Sequence, residues 1–184
     1  CGSLRLAYKK EDIDWFHYVK GIMDNVGSPA EIISPNEIRK VHPFIRLDGL
    51  LAAFHTPEDG HTDPTSTTNA MAKGARNGGA KIYRKNRVTD IKQLSSGEWK
   101  VFTENGDITC EHVVNAAGSF CPEVGAMVGL KEVPSINMIH HYLVTESHPE
   151  IEKLDKELPV TRDPEASAYL RQEGKGLLIG PYEK

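Results

Sequence analysis

The chain has 184 residues, of which 39% are hydrophobic, and its 22 Lys+Arg against 26 Asp+Glu give a formal net charge of −4. This length suits one globular domain or part of a larger one, and the acidic balance argues against a surface that binds nucleic acid or anionic lipid. No apolar stretch approaches the roughly 20 residues of a membrane-spanning helix, and the 3 cysteines are too few for a disulfide scaffold. Because the chain begins at Cys1 without a methionine and ends soon after an apolar run, we expect it to be a segment of a longer protein.

The first part of the chain predicts two helices followed by a strand. Apolar residues recur at helical spacing over 9–26, and Gly27 then provides a stop. A second helix is predicted over 35–41, where Ser34 can act as the N-cap. Residues 47–54 have the composition of a strand.

The middle of the chain predicts a helix and a set of short strands. Asp63 offers a capping oxygen and Pro64 fits the first helical position, so a helix is predicted to run to about Arg76. Strands are predicted over 80–83, 87–94, 99–103 and 107–114, the last three as an antiparallel meander.

A strand ending in Val-Val runs into the sequence Asn-Ala-Ala-Gly at 115–118, and a short helix is predicted over 122–128. Small side chains at such a turn let the backbone come close to a ligand, and the start of a helix favours phosphate. The same four residues also suit a strand-to-helix turn without a ligand. The glycine-rich fingerprint G-x-G-x-x-G of dinucleotide sites is absent from the sequence.

The last third of the chain is predicted to be mostly β. Strands are predicted over 136–145, 168–171 and 177–180, with one helical turn in the charged connector 146–157. In the first of these strands His140 and His141 would point to opposite faces, which argues against a zinc site, and each also suits a plain core or surface position. The pattern as a whole predicts an α/β fold with an antiparallel component and no metal site.

Six short segments, taken in order, carry a resemblance to a known family. They are GSLRLA at 2–7, PEDGHTDP at 57–64, AKGAR at 72–76, VVNAAG at 113–118, HHYLVTE at 140–146 and YLRQEG at 169–174. In this order they resemble the central part of the FAD-dependent amine oxidoreductases, the family that includes dimethylglycine dehydrogenase, sarcosine dehydrogenase and D-amino acid oxidase. The likeness covers essentially the whole chain, and LLIGPYE at 177–183 is more similar to dimethylglycine dehydrogenases than to sarcosine dehydrogenases.

The resemblance implies an FAD-binding Rossmann-like domain interleaved with an antiparallel-sheet substrate domain. Substrate-domain segments are expected at 1–56 and 131–184, and an FAD-domain segment at 57–130. The residues that the resemblance assigns to FAD contact are Val88, Ala116, Ala117 and Gly118. Their backbone would make these contacts, which agrees with the small side chains of the turn.

The resemblance also implies a histidine and a tyrosine beside the reacting amine, and they match His140 and Tyr169. A methylated amine is mostly protonated at neutral pH, and its lone pair must be freed before a hydride can leave to the flavin. A histidine can accept that proton, and a tyrosine hydroxyl can orient the nitrogen. Arg162 and Arg171 are the alternatives for a cation facing the substrate carboxylate, and both also suit simple solvent exposure.

The implied reaction is oxidative demethylation of the small methylated amino acid N,N-dimethylglycine to sarcosine. Electrons would pass from FAD to an electron-transfer flavoprotein or oxygen, and the carbon to formaldehyde or to tetrahydrofolate held in a domain absent from this chain. The alternatives are a sarcosine dehydrogenase and a non-catalytic regulatory relative that serves as a binding module.

The resemblance also places essential parts of the FAD site outside this chain. These parts are the glycine-rich βαβ unit and the histidine that carries FAD covalently in this group. The chain alone is therefore expected to be colourless and inactive. The expected location is the cytoplasm in a bacterium and the mitochondrial matrix in a eukaryote.

Overall fold

The computed structural model describes residues 1–182, and the chain divides into two compact units. The first unit consists of Cys1–Asp63 and His140–Lys184, and the second unit is Pro64–Ile139. Two segments far apart in the sequence thus form one unit, and the stretch between them forms the other. The boundaries expected from the sequence were at 56 and 130.

The helices and strands of residues 1–182 have the following bounds. The helices are α1 at Lys10–Val26, α2 at Pro35–Val41, α3 at Pro64–Asn77, α4 at Cys121–Met127 and α5 at Pro149–Glu152, with a 3-10 turn at Gly118–Phe120. The strands are β1 at Ser3–Ala7, β2 at Glu31–Ile33, β3 at Ala52–Thr56, β4 at Val88–Gln93, β5 at Trp99–Thr103, β6 at Ile108–Cys110, β7 at Leu143–Val144, β8 at Val160–Asp163, β9 at Ala168–Glu173 and β10 at Gly176–Pro181. No helix in this part of the chain has the length and apolar character needed to span a membrane.

The ends of the first two helices follow from local chemistry. At the start of α2, the Glu37 carboxylate accepts hydrogen bonds from the backbone N–H of Ser34 at 2.7 Å and from its hydroxyl at 2.6 Å. This pair satisfies donors that the first helical turn leaves unpaired. Helix α1 ends at Gly27, whose φ of 71° is left-handed and suits glycine, and Ser28 N–H then donates to Met23 C=O at 3.0 Å.

The first unit is built on a seven-stranded sheet in the order β2-β3-β1-β8-β9-β10-β7, counted over the described residues. Neighbouring strands are antiparallel except β1 and β8, which are parallel. The register places one row of residues directly opposite one another: Phe54, Arg5, Arg162, Tyr169 and Gly180. Because opposed residues project to the same face of a sheet, this cross-strand row lies on one face.

Helix α1 covers one end of that face. Phe16 of α1 is fully buried and its ring packs against that of Phe54, with centroids 5.4 Å apart. Farther along the row, the guanidinium of Arg5 lies 4.9 Å from the ring centroid of Trp15, also on α1. The helix packs mainly on β1 and β2, so the part of the row on β8 to β10 lies beyond it.

The opposite face of β1 carries the main hydrophobic core of the first unit. Its buried members are Leu4, Leu6, Ile33, Ile38, Ile45, Leu50 and Ala53. Burying an aliphatic side chain of this size contributes roughly 1.5–3 kcal/mol. The alternation along β1 puts Leu4 and Leu6 in this core and Arg5 on the opposite face. It therefore determines on which face of the sheet the cross-strand row lies.

The second unit contains the antiparallel meander β4-β5-β6, as the sequence predicts. A bulge interrupts the register between Val88 and Asp90. Ile91 of β4 is buried, and α4 packs against this strand. Gly125 of α4 lies so close to Val133 that an ideal Cβ would be 2.5 Å from the valine Cγ2.

Several predicted strands are wrong in extent. The strand predicted over 136–145 is reduced to Leu143–Val144, and 80–83 forms no strand. Ile136 and Met138 have 87% and 77% of their surface exposed. The strand predicted over 107–114 shortens to Ile108–Cys110. An apolar stretch becomes a strand only if another strand pairs with it, and within the described residues these stretches have no such partner.

Other errors concern strands that the sequence pattern did not reveal. The strand predicted over 47–54 forms only at Ala52–Thr56, because a turn at 48–49 interrupts it. Three strands were not predicted, namely β1, β2 and β8. All three are short and pair with distant segments, so their stability depends on the sheet rather than on local sequence.

Candidate active site

Three aromatic rings of the first unit form a cluster, which consists of His140, Tyr169 and Tyr182. The centroid of the His140 ring lies 5.8 Å from that of Tyr169 and 5.2 Å from that of Tyr182, with interplanar angles of 23° and 26°. The two tyrosine rings are 5.4 Å apart and tilted by 49°. The imidazole is therefore stacked over both phenol rings.

The fold brings the two expected residues together and adds a third. His140 and Tyr169, separated by 28 intervening residues in the sequence, are in ring contact. His140 does not lie in a strand, so the argument that placed it and His141 on opposite faces of a strand does not apply. Tyr182 was not singled out, although it follows Gly180 by two residues and strand alternation puts both on one face.

Tyr169 is held over Gly180 on the neighbouring strand. The two residues are directly opposed in the pairing of β9 with β10. An ideal Cβ at position 180 would overlap ring carbons Cζ and Cε1 of Tyr169 and lie 2.5 Å from its hydroxyl oxygen. The missing side chain at Gly180 is thus what lets the phenol ring lie across the strand.

Tyr182 is anchored by its backbone just beyond the end of β10. Its N–H donates a hydrogen bond of 2.7 Å to the C=O of Ser167. Ser167 is in the turn between β8 and β9, with a φ of 49°. Tyr182 keeps 45% of its surface exposed, so one side of the cluster is accessible to a ligand.

The cluster has the groups needed to handle a small cation. Imidazole can take up a proton near neutral pH, and a phenol hydroxyl can donate or accept a hydrogen bond. The faces of aromatic rings attract alkylated ammonium groups. These properties suit recognition and deprotonation of an amine.

The two arginines considered for a substrate carboxylate have different surroundings. Arg171 forms an ion pair with Glu173 and donates to the C=O of Gln172 at 3.1 Å. Arg162 is exposed and lies directly opposite Tyr169 in the sheet. It borders a cavity of about 230 Å³, which Arg5, Asp163, Pro164, Ser167, Ala168 and Tyr182 also line.

The residues expected to contact FAD lie in the second unit. Val88 and Ala117 line one concavity of about 630 Å³, together with Arg87, Phe120, Glu123, Val124 and Met127. Its walls are mainly apolar, with the charged residues Arg87 and Glu123 among them. Ala116 and Gly118 are exposed and do not belong to this lining.

The turn before α4 is shaped by the side chain of Asn115. Its Oδ1 accepts a hydrogen bond from the N–H of Ala117 at 3.2 Å, and its Nδ2 donates to the C=O of Cys121 at 3.0 Å. Gly118 follows with a φ of 57°, and open space surrounds it. The asparagine therefore has a structural role, while the backbone of the turn stays exposed.

One group of side chains in the first unit has the composition of a metal site. Cys1, His61 and Glu157 bring one ligand atom each to within 4.8 Å of one another. The Nε2 of His61 is already 2.6 Å from the Glu157 carboxylate, and all three residues are exposed. The two polar side chains satisfy each other, so nothing in this arrangement requires a metal ion.

The sequence and fold are similar to those of known oxidoreductases. The sequence matches the family described as "DAO: FAD dependent oxidoreductase" over residues 1–184. It is 43% identical over 182 residues to "Dimethylglycine dehydrogenase, mitochondrial" of Rattus norvegicus, an overlap of 99% of this chain and 21% of that protein. It is 33% identical over 187 residues to "Sarcosine dehydrogenase, mitochondrial" of Homo sapiens, covering 99% of this chain and 20% of that protein.

A solved structure supports the same relationship. The crystal structure of L-proline dehydrogenase from P. horikoshii superposes with a TM-score of 0.80 and 28% sequence identity, covering 97% of this chain and 47% of that one. The chain spans about a fifth of the length of the curated relatives named above.

Proposed function

The chain belongs to the DAO family of FAD-dependent oxidoreductases, and from this premise we propose that the full-length protein demethylates N,N-dimethylglycine to sarcosine. The observation that carries the proposal is the ring contact between His140 and Tyr169, 5.8 Å between centroids. The identity of 43% to dimethylglycine dehydrogenase, against 33% to sarcosine dehydrogenase, supports this substrate.

In the proposed reaction, FAD supplies the acceptor for a hydride from an N-methyl group. The substrate then carries an iminium carbon, and addition of water releases formaldehyde and leaves sarcosine. Capture of the one-carbon unit by tetrahydrofolate in another domain, and electron transfer to an electron-transfer flavoprotein or oxygen, are part of the same proposal.

His140 takes the proton from the substrate ammonium in this proposal. The hydride can leave only when the nitrogen lone pair is free, so this proton transfer comes before the oxidation. Tyr169 orients the nitrogen through its hydroxyl, and the ring faces of the cluster favour the methylated cation over water.

Val88, Ala116, Ala117 and Gly118 are the proposed contacts to FAD. The concavity that Val88 and Ala117 share supports a role for these two residues. The exposed backbone of Ala116 and Gly118 supports contacts that need no side chain. A matrix location in a eukaryotic cell agrees with the mitochondrial relatives.

Stopped-flow reduction of the flavin tests this function in the full-length protein. We expect reduction by dimethylglycine to exceed reduction by sarcosine. The H140A variant should lose roughly 10²–10⁴-fold in the reduction rate, the range for loss of a general base. Y169F should lose less, because its ring remains.

The matched control is H141A. It removes the neighbouring histidine, which lies outside the ring cluster. Its reduction rate should stay within about twofold of the wild type, and visible absorbance should show that each variant retains flavin. Unchanged rates in both H140A and Y169F would contradict an enzymatic role for the cluster and favour a regulatory binding module. Faster reduction by sarcosine would assign the protein to sarcosine oxidation instead.

A further inference from the structure

Three segments of the first unit meet at one end of β1. This strand lies between β3 and β8 in the sheet, and the register sets Ser3 directly opposite both Thr56 of β3 and Val160 of β8. The residues just outside these three strand ends therefore lie close together. Among them are Cys1 before β1, His61 in the loop after β3 and Glu157 before β8.

These three side chains present three different metal ligands to one small volume. The thiol sulfur of Cys1, an imidazole nitrogen of His61 and a carboxylate oxygen of Glu157 all lie within 4.8 Å of one another. Thiolate, imidazole and carboxylate are the side-chain groups that bind zinc in proteins. Magnesium and calcium prefer oxygen ligands alone, so the sulfur and the nitrogen favour zinc over these two ions.

The loop after β3 is fastened to the start of β1 by its backbone. The N–H of Gly2 donates a hydrogen bond of 2.8 Å to the C=O of Asp59. The next residue, Gly60, passes so close that an ideal Cβ there would lie 3.7 Å from the Cys1 sulfur. The proximity of Cys1 to His61 therefore depends on backbone contacts and not only on the rotamers of exposed side chains.

The three groups are unequally satisfied by hydrogen bonds. The Nε2 of His61 lies 2.6 Å from Oε1 of Glu157, and because an ionised carboxylate can only accept, the imidazole donates. This pair is complete without a metal ion. The Cys1 thiol, in contrast, makes a weak contact of 3.6 Å with the C=O of Gly2, and sulfur is a poor hydrogen-bonding group. A metal ion would thus add a strong bond to the thiol.

A zinc ion fits among the three ligand atoms after small side-chain movements. Tetrahedral zinc, with bonds of about 2.3 Å to sulfur and about 2.0 Å to nitrogen or oxygen, separates its ligand atoms by about 3.3–3.6 Å. The His61–Glu157 pair must open by about 1 Å to reach this separation, and the sulfur must approach by a similar amount at most. All three residues are exposed, so their side chains can make these movements.

We propose that Cys1, His61 and Glu157 form a zinc site, with water in the fourth position. The bound ion joins the starts of β1 and β8 to the loop after β3 and so stabilises the first unit against unfolding. Closely spaced ligand pairs are what reveals a zinc site in a sequence. Here His61 and Glu157 are 96 positions apart, which is why the sequence predicts no metal site.

Zinc binding by the full-length flavoprotein tests the proposal. The protein is treated with a chelator and titrated with Zn²⁺, and X-ray absorption at the zinc edge then identifies the ligand atoms. We expect one sulfur at about 2.3 Å and nitrogen or oxygen atoms at about 2.0 Å. C1S, H61A and E157Q should each bind zinc at least about 10-fold more weakly, because losing even a group that only orients a metal ligand costs this much. C1S should also lose the sulfur signal.

The matched controls are C110S and H17A, which remove a cysteine and a histidine outside the group and should bind zinc within about twofold of the wild type. Zinc should raise the unfolding temperature of the wild type more than that of C1S. A zinc shell without sulfur, equal zinc affinity in C1S and wild type, or an equal rise in their unfolding temperatures would overturn the proposal. If C1S does not retain flavin, the zinc-edge spectrum of the wild type decides between a shell with sulfur and one without it.

Discussion

Gly180 allows a direct test of whether the position of Tyr169 matters for activity. In G180A the new methyl group would overlap ring carbons Cζ and Cε1 of Tyr169 and lie 2.5 Å from its hydroxyl oxygen. Non-bonded carbon atoms prefer separations of about 3.5–4.0 Å, so the ring must move by about 1 Å or more. A displacement of that size in an active site can cost on the order of 10²-fold in rate.

We expect G180A to reduce the rate of flavin reduction by dimethylglycine about 100-fold in the full-length protein, measured by stopped flow under saturating substrate. The matched control is G21A in α1, where no atom lies within 4 Å of the added Cβ. It should leave the rate unchanged and stabilise the helix by about 1 kcal/mol. A G180A variant that retains flavin and reacts at the wild-type rate would refute the argument that the ring must lie over Gly180.

Two further predictions concern the stability of each unit. His42 is buried, neither ring nitrogen has a hydrogen-bond partner, and burial lowers its pKa to about 4. In the unfolded chain the imidazole of His42 takes up a proton near pH 6.5, whereas in the folded chain it stays neutral until the pH approaches 4. The stability associated with neutral His42 is therefore complete above pH 6.5 and is lost as the pH falls toward 4. At about pH 5 the loss should be about 2 kcal/mol, and urea unfolding of H42L should lack this loss. If the free energy of unfolding had the same pH dependence in H42L as in the wild type, this prediction would be contradicted. In the second unit, the methyl group added by G125A would be 2.5 Å from Cγ2 of Val133, and we expect a loss of about 1–3 kcal/mol in urea unfolding. Adding V133A should restore most of that stability, and a G125A variant as stable as wild type would show that Val133 yields without cost.

Elements with local signals were predicted well from the sequence. Helix α2 has the predicted bounds, because Ser34, Pro35 and the His-Pro pair at 42–43 act within a few residues of its ends. The meander strand β5 has the predicted bounds for a similar reason, since short turns flank it. Strands that depend on distant partners were not predicted, as β1 and β8 illustrate. The stretch 136–142 shows the opposite error, because an apolar pattern alone does not supply a partner strand.

The residues of the candidate site also differ in whether the sequence could identify them. His140 and Tyr169 were identified through family resemblance, and their ring contact depends on the pairing of β9 with β10. Tyr182 could have been found from its position two residues after Gly180, just beyond the end of β10. The juxtaposition of Arg5 with Arg162 could not have been found from the sequence. The two strands are more than 150 residues apart, and their register leaves no trace in the local sequence.

The pairing of β1 with β8 also has a consequence for how the protein is made on the ribosome. Synthesis proceeds at about 5–20 residues per second, so β1 waits on the order of 10–30 s for β8 to emerge. During that time β1 can pair with β3 on one side, while its other edge has unsatisfied backbone groups and is open to association with other chains. Arg5 lies in the middle of that edge, and a charge at this position disfavours such association. A charged residue in the middle of β1 therefore serves the chain before the sheet is complete, because it disfavours edge-to-edge pairing with other chains.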